Sequence, residues 1–403
     1  MWIWTRAHAL DDSLRCAQAE KPRNSSVRAA WPSQFRGSAE SSAAKMAAQL
    51  DAAAETLAAT AEIPSGHRLA ADEAQANGEV TRFPTGLKDV QTPASDPWLF
   101  VQLADPQLGM LNSDQEDGTW DEEEATLSKA VDHINRLKPK FAIVCGDLVH
   151  EFPENVGEKG NDGRKAKQTR SLQTALSRVD SSIGLVCLCG NHDVGNVPTR
   201  KSIRDFRNNY GEDYGLFRCG DHRCVVINSQ LVNSKEKFWR GLRPEQCAEI
   251  TPVAQQQDNW LDALPPNEPS LIFSHIPPFI FDENEPKGYF NHEPAVRRHL
   301  LAQIRRLDRR AKWFCGHFHR NAGGFSEELE VVVTSAVGCA LAWKADVDES
   351  ERLGLEGFDF DRRGCSDERS GLRLVCVRGR DVRHRFFSLK DVPEDPLGDS
   401  AAW

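Results

Sequence analysis

The 403-residue sequence has no apolar run of about 18 residues or more, so no transmembrane helix is expected. Its 60 acidic side chains outnumber 50 basic ones, giving a net charge of −10. This excess argues against a protein that holds nucleic acid by a broad basic face. The eleven cysteines include no C-x-x-C pair, so neither a disulfide framework nor a zinc ribbon is indicated. We therefore expect a cytoplasmic protein with no nucleic-acid partner.

Residues 1–94 differ in composition from the rest of the chain, being rich in Ala, Ser, Arg and Gln. We expect a low-complexity, partly disordered extension, in which the Ala-rich stretch 39–62 forms a helical linker. Its a/d-like apolar spacing lasts about two heptads, too short for a coiled coil. The Arg and Ser content is also typical of a transit peptide, but early acidic residues count against it. Organellar targeting therefore stays open as the alternative to the cytoplasm.

From Pro97 onward, short apolar runs typical of strands alternate with helical spacing. The runs are Trp98–Ala104, Phe141–Cys145, Ile183–Cys189, Arg223–Ile227, Leu271–Ser274, Trp313–Cys315, Val331–Thr334 and Leu372–Val377. Between the first two lies a helical apolar stripe, preceded by three glutamates that suit a helix N-terminus. The order predicts an α/β domain over 95–396, followed by a tail at 397–403. Within the domain, 344–370 is a charged insert that we expect to be disordered or a surface lobe.

Five of the apolar runs end in side chains that can bind metal. These side chains are Asp105 and Gln107, Asp147, Asn191 with His192 and Asp193, His275, and finally His317 with His319. Open α/β sheets bind ligands beyond the carboxyl ends of their strands, so we expect the side chains to meet in one pocket. Mixed oxygen and imidazole ligands suit Mn, Fe or Zn rather than Ca.

A repeated triplet, Cys-Gly-ligand, supports this convergence. It occurs at Cys145–Asp147, Cys189–Asn191 and Cys315–His317. The glycine lets the backbone turn sharply and approach a neighbour closely. We interpret the three cysteines as packing residues, because the residue after the glycine already points to the site.

The ordered set resembles the calcineurin-like metallophosphoesterase superfamily, with its pattern D-x-H, G-D, G-N-H-D/E, H and G-H-x-H. It is most similar to the branch of calcineurin-like phosphoesterase domain-containing protein 1. The branch motifs stand here at Ala104–Gln107, Cys145–Leu148, Gly190–Asp193, Ile227–Gln230, His275–Pro277 and Gly316–Gly324. The resemblance implies a four-layer α/β/β/α sandwich with two divalent metal ions between strand ends.

The resemblance also implies a role for each site residue. One metal would be held by Asp105, Gln107, Asp147 and His319, and the other by Asp147, Asn191, His275 and His317. A hydroxide activated by both metals would attack a phosphate monoester. His192 would face the phosphoryl group, and Asp193 would orient His192.

Two departures from the superfamily pattern bear on the metal preference and on the residues that bind phosphate. Gln107 stands where most members have His, which suggests that the first metal binds loosely or is Mn or Mg. No arginine follows Gly146-Asp147 as it does in calcineurin-type phosphatases, so phosphate must be positioned from elsewhere. The candidates are Asn228, Arg320 and Asn321, and His150 is either a further site residue or a structural one.

Two segments near the motifs carry weaker signals. Residues 279–292 are either a substrate-facing loop or a plain surface loop. His292 and His299 are expected at the surface. The arginines of the helix predicted over Val296–Leu307 are expected on a solvated face.

Three functions remain open from the sequence. The first is a phosphomonoesterase, with phosphorylated serine or threonine of a protein as the substrate that the branch resemblance suggests. The second is a nucleotide or small-molecule phosphodiesterase. The third is a non-catalytic scaffold, which should lose His192 or several metal ligands, whereas all but one position match here.

Overall fold

The computed structural model describes residues 88–90, 92, 97–115, 118–153, 163–344, 348 and 351–398. The expectations for 1–87 and for the end of the tail lie outside these residues. None of the helices within the described ranges is both long and apolar enough to cross a membrane.

Thirteen strands occur in the described part of the chain. They are β1 (Trp98–Leu103), β2 (Phe141–Cys145), β3 (Gly184–Leu188), β4 (Gly215–Cys219), β5 (His222–Val226), β6 (Ser270–Phe273), β7 (Lys312–Cys315), β8 (Ala322–Ser326), β9 (Leu329–Val333), β10 (Ala340–Trp343), β11 (Phe358–Gly364), β12 (Gly371–Arg378) and β13 (Asp381–Ser388).

The helices of the same ranges follow in chain order. They are α1 (Asp121–Leu137), α2 (Arg164–Leu176), α3 (Asn191–Val194), α4 (Arg200–Tyr210), α5 (Ser229–Asn233), α6 (Lys237–Arg240), α7 (Pro244–Ala263) and α8 (Pro294–Leu307). Four acidic residues open α1, and proline opens α7 and α8, as helix N-termini favour.

Two sheets form the centre of the domain. The first has the order β13-β12-β1-β2-β3, with β1, β2 and β3 parallel and β12 antiparallel to β1. The second has the order β4-β5-β6-β7-β9-β8, with parallel strands from β5 to β9 and antiparallel strands at its edges. Because β1, β2, β3, β6 and β7 are the predicted metal-bearing strands, both sheets supply the site.

The sheets pack face to face through aromatic side chains. Phe100 of β1 stacks on Phe141 at 4.7 Å and meets Phe314 of the second sheet edge-on at 5.4 Å. On the outer face of the first sheet lie α1, α2 and α4, and on that of the second lie α7 and α8. The layers are therefore helix, sheet, sheet, helix, and the predicted four-layer sandwich is confirmed.

All eight predicted strands are present, with bounds within two residues of those expected. Of the two alternatives for the insert, disorder is wrong over its later half. Residues 351–353 and 355–357 form 3-10 turns, β11 pairs with β10, and Phe358 is fully buried against Trp343. A few well-placed apolar residues anchor this charged segment to the second sheet.

Two polar residues that were expected at the surface are buried. His292 contacts the carboxylate of Glu236 at 2.8 Å, and neither side chain is exposed. Arg297 donates to the carbonyl oxygens of Glu283, Glu285 and His292. The sequence did not reveal the burial of either residue, because the partner of His292 is distant in sequence and those of Arg297 are backbone carbonyl groups. His299 is exposed, as expected.

Candidate dinuclear metal centre

The carboxyl ends of five strands bring the predicted ligands together. Asp147, His275 and His317 form one set whose ligand atoms lie within 4.8 Å of one another, and Asp105, Asp147 and His319 form a second. All five residues are buried. Because Asp147 belongs to both sets, the arrangement can hold two cations that share one carboxylate.

The set containing His275 has donor atoms that face a common point. His275 Nε2 lies 3.2 Å from Asp147 Oδ2, 3.1 Å from Asn191 Oδ1 and 3.1 Å from His317 Nδ1. Oxygen and imidazole nitrogen at such separations suit a first-row divalent metal ion. Asn191 thus lies where the sequence placed it.

The sequence assigns the amide of Gln107 to the set that contains His319. His319 Nε2 lies 3.5 Å from Asp105 Oδ1. Gln107 Oε1 is buried and makes no hydrogen bond with the described residues. A buried acceptor without a donor is costly, whereas a cation would satisfy it. The donor set therefore fits a second divalent ion.

Backbone carbonyl groups fix the orientation of two imidazoles. His275 Nδ1 lies 2.8 Å from the carbonyl oxygen of Cys145, and His319 Nδ1 lies 2.6 Å from that of Cys339. A carbonyl only accepts, so Nδ1 carries the proton in both rings. Nε2 is then the basic nitrogen that faces the carboxylates, as in many histidine metal ligands.

The backbone at the site is unusually strained. The φ angles of Asp105, Gln107, Asp147, His317 and His319 are 50°, 37°, 47°, 69° and 55°. Left-handed conformations of non-glycine residues are uncommon and cluster at functional sites. Here they turn the chain at the strand ends, where the predicted ligands lie.

The glycines of the repeated triplets permit the close approach that the sequence predicted. A Cβ atom on Gly146, whose φ is 77°, would lie 2.6 Å from His275 Nδ1. One on Gly190 would lie 2.1 Å from Asp147 Oδ1, and one on Gly316 would lie 2.6 Å from Asp105 Oδ2. Any larger residue would displace a candidate ligand.

Electrostatics divide the site into charged and neutral groups. Burial favours the neutral form of His275, but Asp147 outweighs it and raises the pKa of His275 to about 9. Burial opposes ionisation of Asp147, yet His275 and His192 hold its pKa below the ordinary value. Burial lowers the pKa of His319 to about 4 and raises that of Asp105. Asp147 is therefore the carboxylate that stays ionised at the centre.

Comparison with known proteins identifies the family. The sequence profile of the calcineurin-like phosphoesterase family matches residues 99–321. Serine/threonine-protein phosphatase CPPED1 of Danio rerio is 34% identical over 335 residues, covering 81% of this chain and 96% of the relative. The chain belongs to the calcineurin-like phosphoesterase family.

Relatives of the same name in Rattus norvegicus and Homo sapiens are 35% and 32% identical. Each alignment covers 75% of this chain, with 88% of the rat and 87% of the human protein. The resemblance drawn from the motifs is confirmed, and the chain is a phosphoesterase of a family that uses divalent metal ions.

His192 of this phosphoesterase lies beside the shared ligand. Its backbone N–H donates to Asp147 Oδ1 at 2.9 Å, and its Nδ1 contacts the carbonyl oxygen of His150. The predicted contact of Asp193 with His192 is replaced by others. Asp193 accepts from the backbone of Gly190 at 2.7 Å and of Leu148 at 3.1 Å. It therefore holds together the two turns that carry Asp147 and Asn191.

The three predicted substrate-binding residues, Asn228, Arg320 and Asn321, differ in burial and in hydrogen-bond partners. Asn228 is fully buried, caps α5 through its side-chain oxygen and donates to Asp213 at 2.7 Å. Its amide is used by the fold, so the predicted substrate contact is wrong. Asn321 accepts from Arg373 at 2.9 Å. Arg320 donates to the carbonyl oxygen of Leu341 and stacks over Trp343 at 4.5 Å.

The loop 279–292 lies against the metal centre. Tyr289 accepts a hydrogen bond from Asn191 Nδ2 at 3.3 Å, and its ring lies 5.2 Å from that of His317. The alternative of a plain surface loop is therefore wrong. The position of the loop 279–292 after the His275-Ile276-Pro277 motif, together with its aromatic residues, was a usable signal for Tyr289. The carbonyl of Cys339 carries no such signal, because any residue has a backbone oxygen.

Proposed function

We propose that this phosphoesterase is a metal-dependent phosphomonoesterase that acts on phosphorylated serine or threonine of proteins. The Asp147 carboxylate, shared between two buried donor sets, is the observation that carries the proposal. Three relatives that bear the name of serine/threonine-protein phosphatase support the substrate class. Mn, Fe and Zn are the metals that the donor atoms favour.

We infer the role of each ligand from its position. The first ion would be held by Asp105, Gln107, Asp147 and His319, and the second by Asp147, Asn191, His275 and His317. When bound, the ions supply Lewis-acid activation of water and neutralise phosphate charge. The chain's own part is to hold these donors in fixed orientations through the carbonyls and turns described above.

His192 is our candidate for proton transfer. Its Nδ1–H donates to the carbonyl oxygen of His150, which leaves Nε2 as the nitrogen that can exchange a proton with substrate. Its backbone contact to Asp147 keeps it beside the shared carboxylate. We propose that Nε2 protonates the leaving oxygen of the phosphate ester. Asp193 acts by holding the turns in place.

Arg320 is the remaining candidate for substrate binding. A guanidinium has five N–H donors, and among the described residues Arg320 donates only to Leu341. Burial, followed by the charge of Arg352, lowers the pKa of Arg320 to about 10, so the side chain stays cationic at neutral pH. We propose that it contacts an acidic group of the substrate, with Asn321 beside it.

We also propose 95–396 as the catalytic domain, with 1–94 as an extension and 397–403 as a tail. The family profile ends at residue 321, but β12 pairs with β1 and β13 pairs with β12. The first sheet is therefore incomplete without the chain up to Ser388.

A substrate panel tests this function. Mn-loaded protein should hydrolyse phosphoserine and phosphothreonine peptides faster than nucleotides, sugar phosphates and phosphodiesters. Preferential cleavage of a diester or a nucleotide would instead support the phosphodiesterase. Metal binding without turnover of any ester would support the scaffold.

A further inference from the structure

Each proposed set of metal ligands contains one amide side chain, and that amide must direct its oxygen toward the metal. The amide of Asn or Gln carries an oxygen acceptor and an NH2 donor of nearly the same size. Only the oxygen can bind a cation, so an amide ligand needs a second group that holds its NH2 away from the metal. Gln107 and Asn191 are the two amides in question.

Asn191 is oriented by Tyr289. Its Nδ2 donates to the Tyr289 hydroxyl at 3.3 Å, while its Oδ1 lies 3.1 Å from His275 Nε2 among the candidate ligands. A rotation of the amide by half a turn would direct NH2 into the ligand set, where it could not bind a cation. By accepting from the NH2, the hydroxyl holds it away from the ligand set, in the orientation that a cation requires.

Gln107 is oriented in the same way by His150. Its Nε2 lies 3.3 Å from His150 Nδ1, and its Oε1 is buried without a partner among the described residues. The NH2 group can only donate, so in this contact His150 accepts at Nδ1 and carries its proton on Nε2. The backbone N–H of His150 donates to the carbonyl oxygen of Leu108, which anchors the imidazole beside the Gln107 turn.

Tyr289 is itself held by groups that the mechanism does not use. Its backbone N–H donates to the carbonyl oxygen of Leu353 in the charged insert, at 3.0 Å. The N–H of Gly288 donates to Asn291 Oδ1 at 2.7 Å. Lys287 pairs with Glu236 at 2.9 Å. The insert and a buried ion pair therefore fix the position of the hydroxyl.

We propose that His150 and Tyr289 are positioning residues that direct the oxygens of Gln107 and Asn191 to the two metal ions, one for each ion. The inference rests on the proposed dinuclear function and adds to it two residues outside both ligand sets. Neither residue touches the metal in this account. Both act through the orientation of an amide.

Metal binding by purified full-length variants tests the proposal without measuring activity. Tyr289→Phe removes one oxygen atom, and His150→Leu removes the acceptor for Gln107. Groups behind metal ligands typically contribute about 10–100-fold to metal affinity. Each variant should therefore bind one of two Mn ions about 10–100-fold more weakly by calorimetry. Electron paramagnetic resonance at limiting Mn should change from a coupled pair to a lone ion.

Two further variants make the test specific. His150→Asn offers an acceptor oxygen near the position of Nδ1 and should restore the second ion. Tyr214→Phe makes the same chemical change in a ring that packs on Trp260 at 5.2 Å, and should bind as the wild type does. If His150→Leu fails to fold, Tyr289→Phe decides the question alone.

The outcomes separate this inference from the proposed function. Two ions bound by the wild type, with unchanged affinity in Tyr289→Phe and His150→Leu, would overturn the positioning roles and leave the function standing. A wild-type protein that binds no divalent ion would overturn both. Loss of activity in the variants at wild-type metal affinity would also overturn the positioning roles.

Discussion

Asp147 Oδ2 lies 3.2 Å from His275 Nε2, and the same carboxylate completes a second donor set with Asp105 and His319. The two residues come from different sheets, Asp147 following β2 and His275 following β6. The metal centre therefore depends on the face-to-face packing of the sheets. Because Asp147 belongs to both donor sets, loss of its carboxylate should weaken the binding of both ions.

Replacing Asp147 by Asn keeps the size of the side chain and removes its charge. Changes behind a ligand cost up to about 100-fold in affinity or activity, so loss of a shared ligand should exceed this. We expect less than one Mn per chain at stoichiometric metal. Asp132→Asn, at an exposed position paired with Arg178, is the matched control. Two tightly bound ions in Asp147→Asn would contradict the shared-ligand arrangement.

Replacing His192 by Ala separates catalysis from metal binding. Its side chain belongs to neither donor set, so both ions should remain bound. Loss of a general acid should lower kcat by about 10²–10⁴-fold. His299→Ala, at an exposed position of α8, should retain full activity. An undiminished rate in His192→Ala would remove this residue from the mechanism.

Replacing Gln107 by His tests the departure from the superfamily pattern. A neutral amide oxygen is a weaker and harder ligand than imidazole, so the variant should hold its first ion more tightly. Preference should shift from Mn toward Zn, as measured by competition between metals and metal analysis. The acceptor at His150 Nδ1 can still receive an N–H from the new ring. Equal occupancy and an unchanged metal preference would rule out this reading of Gln107.

The buried pair of Glu236 and Lys287 should make stability depend on pH. Burial opposes ionisation of Glu236, but Lys287 and His292 lower its pKa from 4.5 to about 2. A carboxyl with a depressed folded pKa stabilises the protein above its unfolded pKa and loses this contribution as pH falls through the folded value. The free energy of unfolding should therefore fall between about pH 4.5 and pH 2.

The Glu236→Gln variant checks this explanation. Removing one partner of a buried ion pair costs about 3–5 kcal/mol, because the other charge stays buried without compensation. Denaturant unfolding at pH 7 should show that loss. The curve of unfolding free energy against pH should also be flatter than that of the wild type below pH 4.5. Parallel curves for the two proteins would contradict the assigned role of Glu236.

The predicted Asp and His side chains lie together because they directly follow buried strands. Apolar runs locate the strand ends. At Gly190, no residue larger than glycine would fit beside Asp147. The errors have a common cause in partners that are distant in sequence. His292 is buried because Glu236, 56 residues earlier, pairs with it. Asn228 matched a motif, but its use as the cap of α5 depends on local geometry.

The most direct test of the dinuclear phosphomonoesterase is a metal-reconstitution assay. Protein stripped with a chelator should be inactive, and activity on p-nitrophenyl phosphate should rise with added Mn until two ions bind per chain. The bis-ester should be hydrolysed much more slowly, and Asp147→Asn should stay inactive throughout. Activity that survives chelation, or that saturates at one ion per chain, would contradict the account.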